Sequence, residues 1–198
     1  MGIKEEDLKG IIIFVGKSAA GKDTAARVLA KTLQNVELGL STTSRPKRSG
    51  EVDGIDYHFI TCEEFEENYK NGVFLDAEFY HPIIGGVQKR HGYGISLEGL
   101  DYKNKLIVFS ADLVRAKKIK QIFGKKVMLV YIDVSQRVRQ ERAKIRDRNF
   151  SLLEWRRRVS DEEKMYKTVI HEVDWVITNN KNLQGMNELI WAIKFAFD

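Results

Sequence analysis

A single cysteine, Cys62, stands in a chain of 198 residues, so no internal disulfide can close, and a reducing cytosol is the compartment this suits. Proline occurs only twice, and no low-complexity or single-sign stretch marks a linker or a disordered tail, so order is expected throughout apart from the termini. The four histidines, His58, His81, His91 and His171, are too scattered to build a Cys/His metal site. No run approaches the roughly 20 apolar residues that a membrane-spanning helix needs, and Met1 to Leu8 is charged where a signal peptide would be apolar. These absences point to a soluble, untargeted, cytoplasmic chain with no membrane partner.

What is present suits one enzyme-sized unit: 43% of residues are hydrophobic, enough for a sizeable core. The net charge of +5 fits nucleic acid or small polyanions such as nucleotides, and charge alone does not choose. Ile11-Ile12-Ile13-Phe14-Val15 is apolar at every position, as a central parallel strand covered on both faces should be. From Gly21 to Leu33 the period becomes helical, with Ala25, Val28, Leu29 and Leu33 on one face. Apolar runs recur at Leu106 to Phe109, Val127 to Ile132 and Trp175 to Ile177, each followed by a helix-prone stretch. The alternation predicts an α/β fold with a mostly parallel sheet flanked by helices. Between Ser41 and Gly99 short β-like pieces and polar turns replace it, with a helix expected from Cys62 to Asn71. Residues 1–40 and 100–198 are thus expected to form the core, and 41–99 an inserted region. A second departure, Arg137 to Arg158, sets nine basic residues against three acids, Glu141, Asp147 and Glu154.

Gly16-Lys17-Ser18-Ala19-Ala20-Gly21-Lys22 fits G-x-x-x-x-G-K and lies where a strand feeds a helix. Small residues let consecutive N–H groups curl around a phosphate, the helix N-terminus adds positive potential, and Lys22 supplies a mobile charge for the β and γ phosphates. The fold expected is therefore of the phosphate-loop NTPase type, with ATP and Mg²⁺ as its companions. The residue after Lys22 is Asp23 rather than the Ser or Thr that ordinarily meets Mg²⁺, and Thr24 follows. Asp23 either favours the first helical turn electrostatically or repels the nucleotide.

From Ser41 to Phe59 the chain reads Ser-Thr-Thr-Ser-Arg-Pro-Lys-Arg-Ser-Gly-Glu-Val-Asp-Gly-Ile-Asp-Tyr-His-Phe. Two arginine forks, Arg45 and Arg48, with the hydroxyls of Ser41 and Tyr57, suit a dianionic phosphate. This stretch closely resembles the monophosphate-binding segment of guanylate kinases, through Ser41, Arg45, Arg48, Gly50, Glu51, Gly54, Asp56, Tyr57 and Phe59. The resemblance extends to Phe74-Leu75-Asp76, to Gly92-Tyr93-Gly94, to Asp112 and to Asp174-Trp175-Val176-Ile177-Thr178-Asn179-Asn180, and so spans nearly the whole chain. It implies that Asp76 and Asp112 accept hydrogen bonds from guanine and that Tyr93 completes the phosphate site with Arg45, Arg48 and Tyr57. It also implies that Asn179 lies on the ATP side, and that 137–158 is a lid whose arginines neutralise the phosphates. Arg142, Arg146, Arg148 and Arg158 are the candidates, with Arg142 assigned to ATP and Arg146 and Arg158, beside Lys22 and Arg48, to catalysis. A nucleic-acid role for this basic stretch is disfavoured, because only Phe150 and Trp155 are interleaved as stacking residues.

Three departures from the family pattern stand out. The family usually has Ser after the loop lysine and an acid where Ser110 stands, so Asp23 and Ser110 are expected to have exchanged a carboxylate and a hydroxyl near Mg²⁺. Asp76 is one methylene shorter than the usual Glu, and Ile95 fills a Ser/Thr position, with Ser96 a candidate replacement by a one-residue shift. Phe79 to Arg90 contains extra residues, and His81, Lys89, Arg90 and His91 are candidates to line the opening, with plain surface-loop residues the competing reading. The expected activity is phosphorylation of GMP or dGMP by MgATP. Another nucleoside monophosphate, a phosphorylated sugar and an inactive binding module are the competing readings. Whether the chain is a monomer or a homodimer is left open.

Overall fold

The computed structural model describes residues 4–48, 50–81, 83–84, 87–147, 150–181 and 183–197. Along the chain run β1 (Gly10–Val15), α1 (Lys22–Thr32), β2 (Val36–Leu38), β3 (Thr42–Thr43), β4 (His58–Phe59), α2 (Cys62–Lys70), β5 (Asp76–Tyr80), β6 (Ile83–Ile84), β7 (Val87–Gln88) and β8 (His91–Ile95). There follow β9 (Leu106–Ser110), α3 (Leu113–Phe123), β10 (Val127–Asp133), α4 (Gln136–Arg146), α5 (Leu152–Met165), β11 (Trp175–Thr178) and α6 (Met186–Phe197).

Five strands form a parallel sheet in the order β11-β10-β1-β9-β2. The isoleucine run takes a central place because every residue of β1 is buried, and only a strand covered on both faces can bury two alternating sets of side chains. Ile11, Ile13 and Val15 join Leu129, Phe109 and the α3 residues Ala116, Ile119 and Phe123 in one core. Ile12 and Phe14 join Val108, Val130, Ile132, the α1 residues Ala25, Ala26 and Leu29, and the α6 residues Leu189 and Ile193 in the other. The two cores are the two parities of one strand, and each fully buried isoleucine contributes about 1.5–3 kcal/mol of transfer free energy. The expected strands and the first helix are all present, with ends within one or two residues of their sequence positions.

A separate four-stranded mixed sheet, order β4-β3-β8-β5, is built from the 41–99 stretch. Its back face is closed by α2 and Phe74. Phe65 of α2 lies so close over Gly92 that a Cβ there would meet the ring at 2.4 Å, and Phe65 stacks on Phe74. That close approach turns Tyr93 and its cross-strand partner Glu78 to the front. Helix α2 begins at Thr61 with a reciprocal capping box to Glu64, as the sequence Thr-Cys-Glu-Glu favours. The antiparallel pair β6 and β7 extends the β5–β8 connection, within the stretch read as extra residues. No helix among the described residues is long and apolar enough to cross a membrane.

Candidate active site

The carboxyl ends of β1, β9 and β10 deliver the chain to one edge of the parallel sheet, where open α/β sheets place their ligands. From β1 the chain enters the loop Gly16–Gly21 and then α1. Ala19 (φ 61°) and Gly21 (φ 94°) both take left-handed backbone, which curls the loop. Gly21 is further fixed by space: a Cβ would come within 2.6 Å of the Asn179 amide nitrogen. Asn179, buried at the end of β11, donates to the Ala20 carbonyl (2.9 Å). Arg142 of α4 donates to the Asn179 carbonyl (2.8 Å) and to Ala20 O (3.4 Å). Both predicted ATP-side residues therefore brace the loop from behind.

Lys22 donates to the Gly16 carbonyl across the loop (2.8 Å), which also accepts from the Tyr166 hydroxyl (3.1 Å). Burial pushes the Lys22 amine below its ordinary value. Asp23, Glu162 and Asp112 oppose that shift, and Arg146 adds to it. On the outer side of the loop, Ser18 N–H donates to Glu162 Oε1 (2.6 Å), and Lys17 pairs with Glu163 (2.7 Å). Glu162 also pairs with Arg139 of α4 (2.9 Å), a guanidinium 1% exposed that donates to Ser18 O (3.3 Å). Helix α5 is thus tied to the loop by two consecutive acids. No motif signalled Arg139, Glu162 or Glu163; only the packing of α4 and α5 on the loop makes them neighbours.

Asp23 and Ser110, the two positions expected to have exchanged groups, are neighbours: the Ser110 hydroxyl donates to Asp23 Oδ1 (2.5 Å). With them Ser41, Tyr57, Asp56, Arg27 and Gly39 line a narrow cleft. One wall belongs to the first turns of α1 and the end of β9, and the other to the 41–59 segment. Arg27 of α1 spans them, donating to Asp56 (2.8 Å) and to the Ile55 carbonyl (3.0 Å). Thr24 sits exposed in the first turn of α1.

In the 41–59 segment, Arg45 is 5% exposed and held bidentately by Glu51 (2.6 and 2.7 Å), with its guanidinium 5.0 Å from the Tyr57 ring centre. Tyr57 and Tyr93 stand edge to face at 6.3 Å. Burial, with the Asp23 charge in second place, pushes the Tyr57 phenol up to about 12, so it remains a donor at neutral pH. Arg48 is different: burial and then the cations Arg45 and Arg146 depress its basicity, although Glu51 lies 3.9 Å away. An arginine destabilised by like charges is one that an arriving anion relieves. Arg146, exposed at the end of α4, acts on both Lys22 and Arg48. Arg158 instead donates to Glu154 of its own helix (2.8 Å), one turn before Glu162. Arg148 lies outside the described residues.

Glu51 is a residue whose role sequence reasoning did not reach, although it stands in the motif. Its carboxyl is held below the 4.5 ordinary for glutamate: burial works against this, but the Arg45 hydrogen bonds and the Arg48 N–H outweigh it. A depressed folded-state value stabilises the fold above the unfolded value, and that contribution is lost as the pH falls through the folded one. Glu51→Gln is therefore expected to be destabilised at pH 7 and to lose less stability than the unaltered chain on acidification below about pH 4.5. Urea melts between pH 7 and pH 3 measure this, and identical pH profiles would refute it.

Two residues beyond Ser110, Asp112 caps α3, accepting from Arg115 N–H (3.0 Å), and receives the Tyr80 hydroxyl (3.0 Å). Asp76 is paired with buried Arg115 (2.8 Å), with Lys118 at 3.7 Å. The two predicted base readers are brought to one place, each with a companion the sequence did not announce. Ser96 does not replace the missing hydroxyl: it donates to Val73 O (3.1 Å) on the back of the small sheet, while Ile95 is sealed in the core.

A phosphate loop at the edge of a parallel sheet, faced by a second cationic cluster, defines the class of phosphate-loop nucleotide-binding α/β proteins. Within that class the profile of the guanylate kinase family matches residues 9–196, and the chain belongs to that family. It is 32% identical to the guanylate kinase of Rickettsia felis over 196 residues, covering 97% of each chain. With that of Helicobacter hepaticus it shares 29% over 175 residues, 86% of this chain and 82% of the relative. The crystal structure of guanylate kinase from Anaplasma phagocytophilum has the same fold, with a TM-score of 0.61 over 96% of this chain and 85% of that one, at 23% identity.

Proposed function

We infer that this chain transfers the γ-phosphoryl group of MgATP to GMP or dGMP. One observation carries this: a single cleft is lined by Asp23 and Ser110 from the phosphate-loop side and by Ser41 and Tyr57 from the monophosphate side. Donor and acceptor phosphates bound there would lie next to each other, which is the main requirement of a reaction that runs on positioning and electrostatics.

The phosphate loop, with Arg142 and Asn179 behind it, holds the ATP phosphates. Arg48, Arg45, Tyr57 and Tyr93 hold the acceptor phosphate, with Arg45 fixed by Glu51 and Arg48 left to meet the anion. Lys22 and Arg146, the latter acting electrostatically on both Lys22 and Arg48, stabilise the charge that spreads over the migrating phosphoryl oxygens. Arg158 reaches the phosphates by leaving Glu154 as the 137–158 segment closes. Closure also excludes water and limits wasteful hydrolysis.

Asp23 and Ser110 present a carboxylate and a hydroxyl 2.5 Å apart from two different elements, a donor set that fits a hydrated hard cation; Thr24 is the next hydroxyl along. Mg²⁺ held there supplies charge neutralisation at the donor phosphates. Asp23→Ala is expected to raise the Mg²⁺ concentration for half-maximal rate by roughly tenfold, the usual scale for an outer-shell ligand. An unchanged Mg²⁺ titration removes Asp23 from this role.

The acceptor is tested with a coupled ADP-release assay on GMP, dGMP, AMP, CMP, UMP, dTMP and ribose 1,5-bisphosphate. Preference for GMP or dGMP by orders of magnitude is the expected result. Preference for another acceptor keeps the kinase and overturns the substrate, and no turnover at all favours the binding-module reading.

A further inference from the structure

Arg115 belongs to no motif, yet it joins the two acids expected to read the base, Asp76 through its guanidinium and Asp112 through its backbone N–H. It is 4% exposed on the first turn of α3, where a long cation is costly unless it is paired. Its Nε donates to Asp76 Oδ2 (2.8 Å) and its Nη2 weakly to the Asp76 carbonyl (3.4 Å). Its own N–H is accepted by Asp112, the carboxylate that also receives Tyr80. Two groups on this ion pair are left over. Among the described residues Arg115 Nη1 has no hydrogen-bond partner, and it is not among the polar atoms sealed from solvent. Among the described residues Asp76 Oδ1 has only Lys118 at 3.7 Å, beyond hydrogen-bonding distance.

The pair therefore offers one free donor and one free acceptor, with Asp112 offering further acceptor capacity nearby. A 6-oxopurine presents the complementary set along one edge: an acceptor oxygen at C6, a donor at N1, and in guanine a second donor at N2. Guanidinium is the side chain best suited to a purine O6. Neither residue at the usual hydroxyl position serves that atom, since Ile95 is buried in the core and Ser96 is turned to Val73.

We propose that Arg115 determines base specificity by donating from Nη1 to the C6 oxygen of a 6-oxopurine monophosphate, while Asp76, oriented by the same guanidinium, accepts from N1–H. This rests on the acceptor assignment above and adds to it a residue and the atom it reads.

The test compares GMP with 6-thioguanosine monophosphate, which keeps both N–H donors and replaces the C6 oxygen by a poor acceptor. The unaltered chain is expected to favour GMP in kcat/KM by about 10- to 100-fold, the span of one charge-assisted hydrogen bond. Arg115→Met is expected to bring the ratio to within about threefold, on top of a loss shared by both substrates through the released Asp76, whereas a residue that only anchored Asp76 would lower both together and leave the ratio unchanged. Arg115→Lys keeps a cation for Asp76 and should retain part of the preference. If Arg115→Met does not fold, the charge-neutral pair Asp76→Asn with Arg115→Met gives the same ratio to read. An unchanged ratio in these variants overturns the proposal and leaves the acceptor assignment standing. Failure of the unaltered chain to phosphorylate GMP overturns both.

Discussion

Lys22→Met is expected to leave a folded chain whose turnover of GMP with MgATP falls by about 10²- to 10³-fold, the usual effect of removing one preorganised donor from a developing charge. The fold should survive because the amine is a buried charge held at a cost, and methionine fills a similar volume without it. The one acceptor that Lys22 leaves, the Gly16 carbonyl, keeps the Tyr166 hydroxyl at 3.1 Å. Thermal melts and steady-state rates on the same preparation separate the two effects. Turnover within about tenfold of the unaltered chain would show that the loop lysine does not meet the migrating phosphoryl group. A large drop in melting temperature would place the lysine's role in the loop's structure instead.

The largest stability effect is expected at Glu162. Its carboxylate accepts from Ser18 N–H and pairs with Arg139, a cation with 1% exposure whose Nε already lacks a partner among the described residues. Glu162→Ala leaves that guanidinium buried and uncompensated, a situation that costs about 3–5 kcal/mol. For a chain of this size the melting temperature should fall by roughly 10 °C. Removing the cation as well, in Glu162→Ala with Arg139→Met, should recover more than half of the loss, because a buried pair is worth little beyond its apolar replacement. If the single variant loses less than about 1 kcal/mol, the pair is solvated in solution and the tie between α5 and the phosphate loop is not structural. If the double variant is no better than the single, the lost Ser18 contact carries the effect.

Much of this protein is readable in one dimension. The run Ile11 to Val15 has no polar residue, so it could be nothing but a strand covered twice, and the glycines and Lys22 after it have their meaning from local backbone geometry alone. The 41–59 motif is equally local, since Arg45, Arg48 and Tyr57 lie within 13 residues of one another and fold back through short strands and turns. The nearness of Asp23 and Ser110 was also legible, although 87 positions separate them, because each stands at the end of a recognisable element.

The rest depends on contacts that no spacing encodes. Ser96 looked like a substitute for a lost hydroxyl, but strand parity turns it to the back of the small sheet. Asp76 looked like an unaccompanied base reader, but α3 brings Arg115 to it from 39 positions away. Arg139 and Glu162 lie 23 positions apart on two successive helices and read as ordinary surface charges until those helices close on the loop. The sequence by itself determined the strand order of burial, the phosphate loop and the family, since each is written in local pattern. Which charges are paired, and with which partner, was decided only when packing brought distant side chains into low dielectric, where a partner's presence sets the energy of every charge.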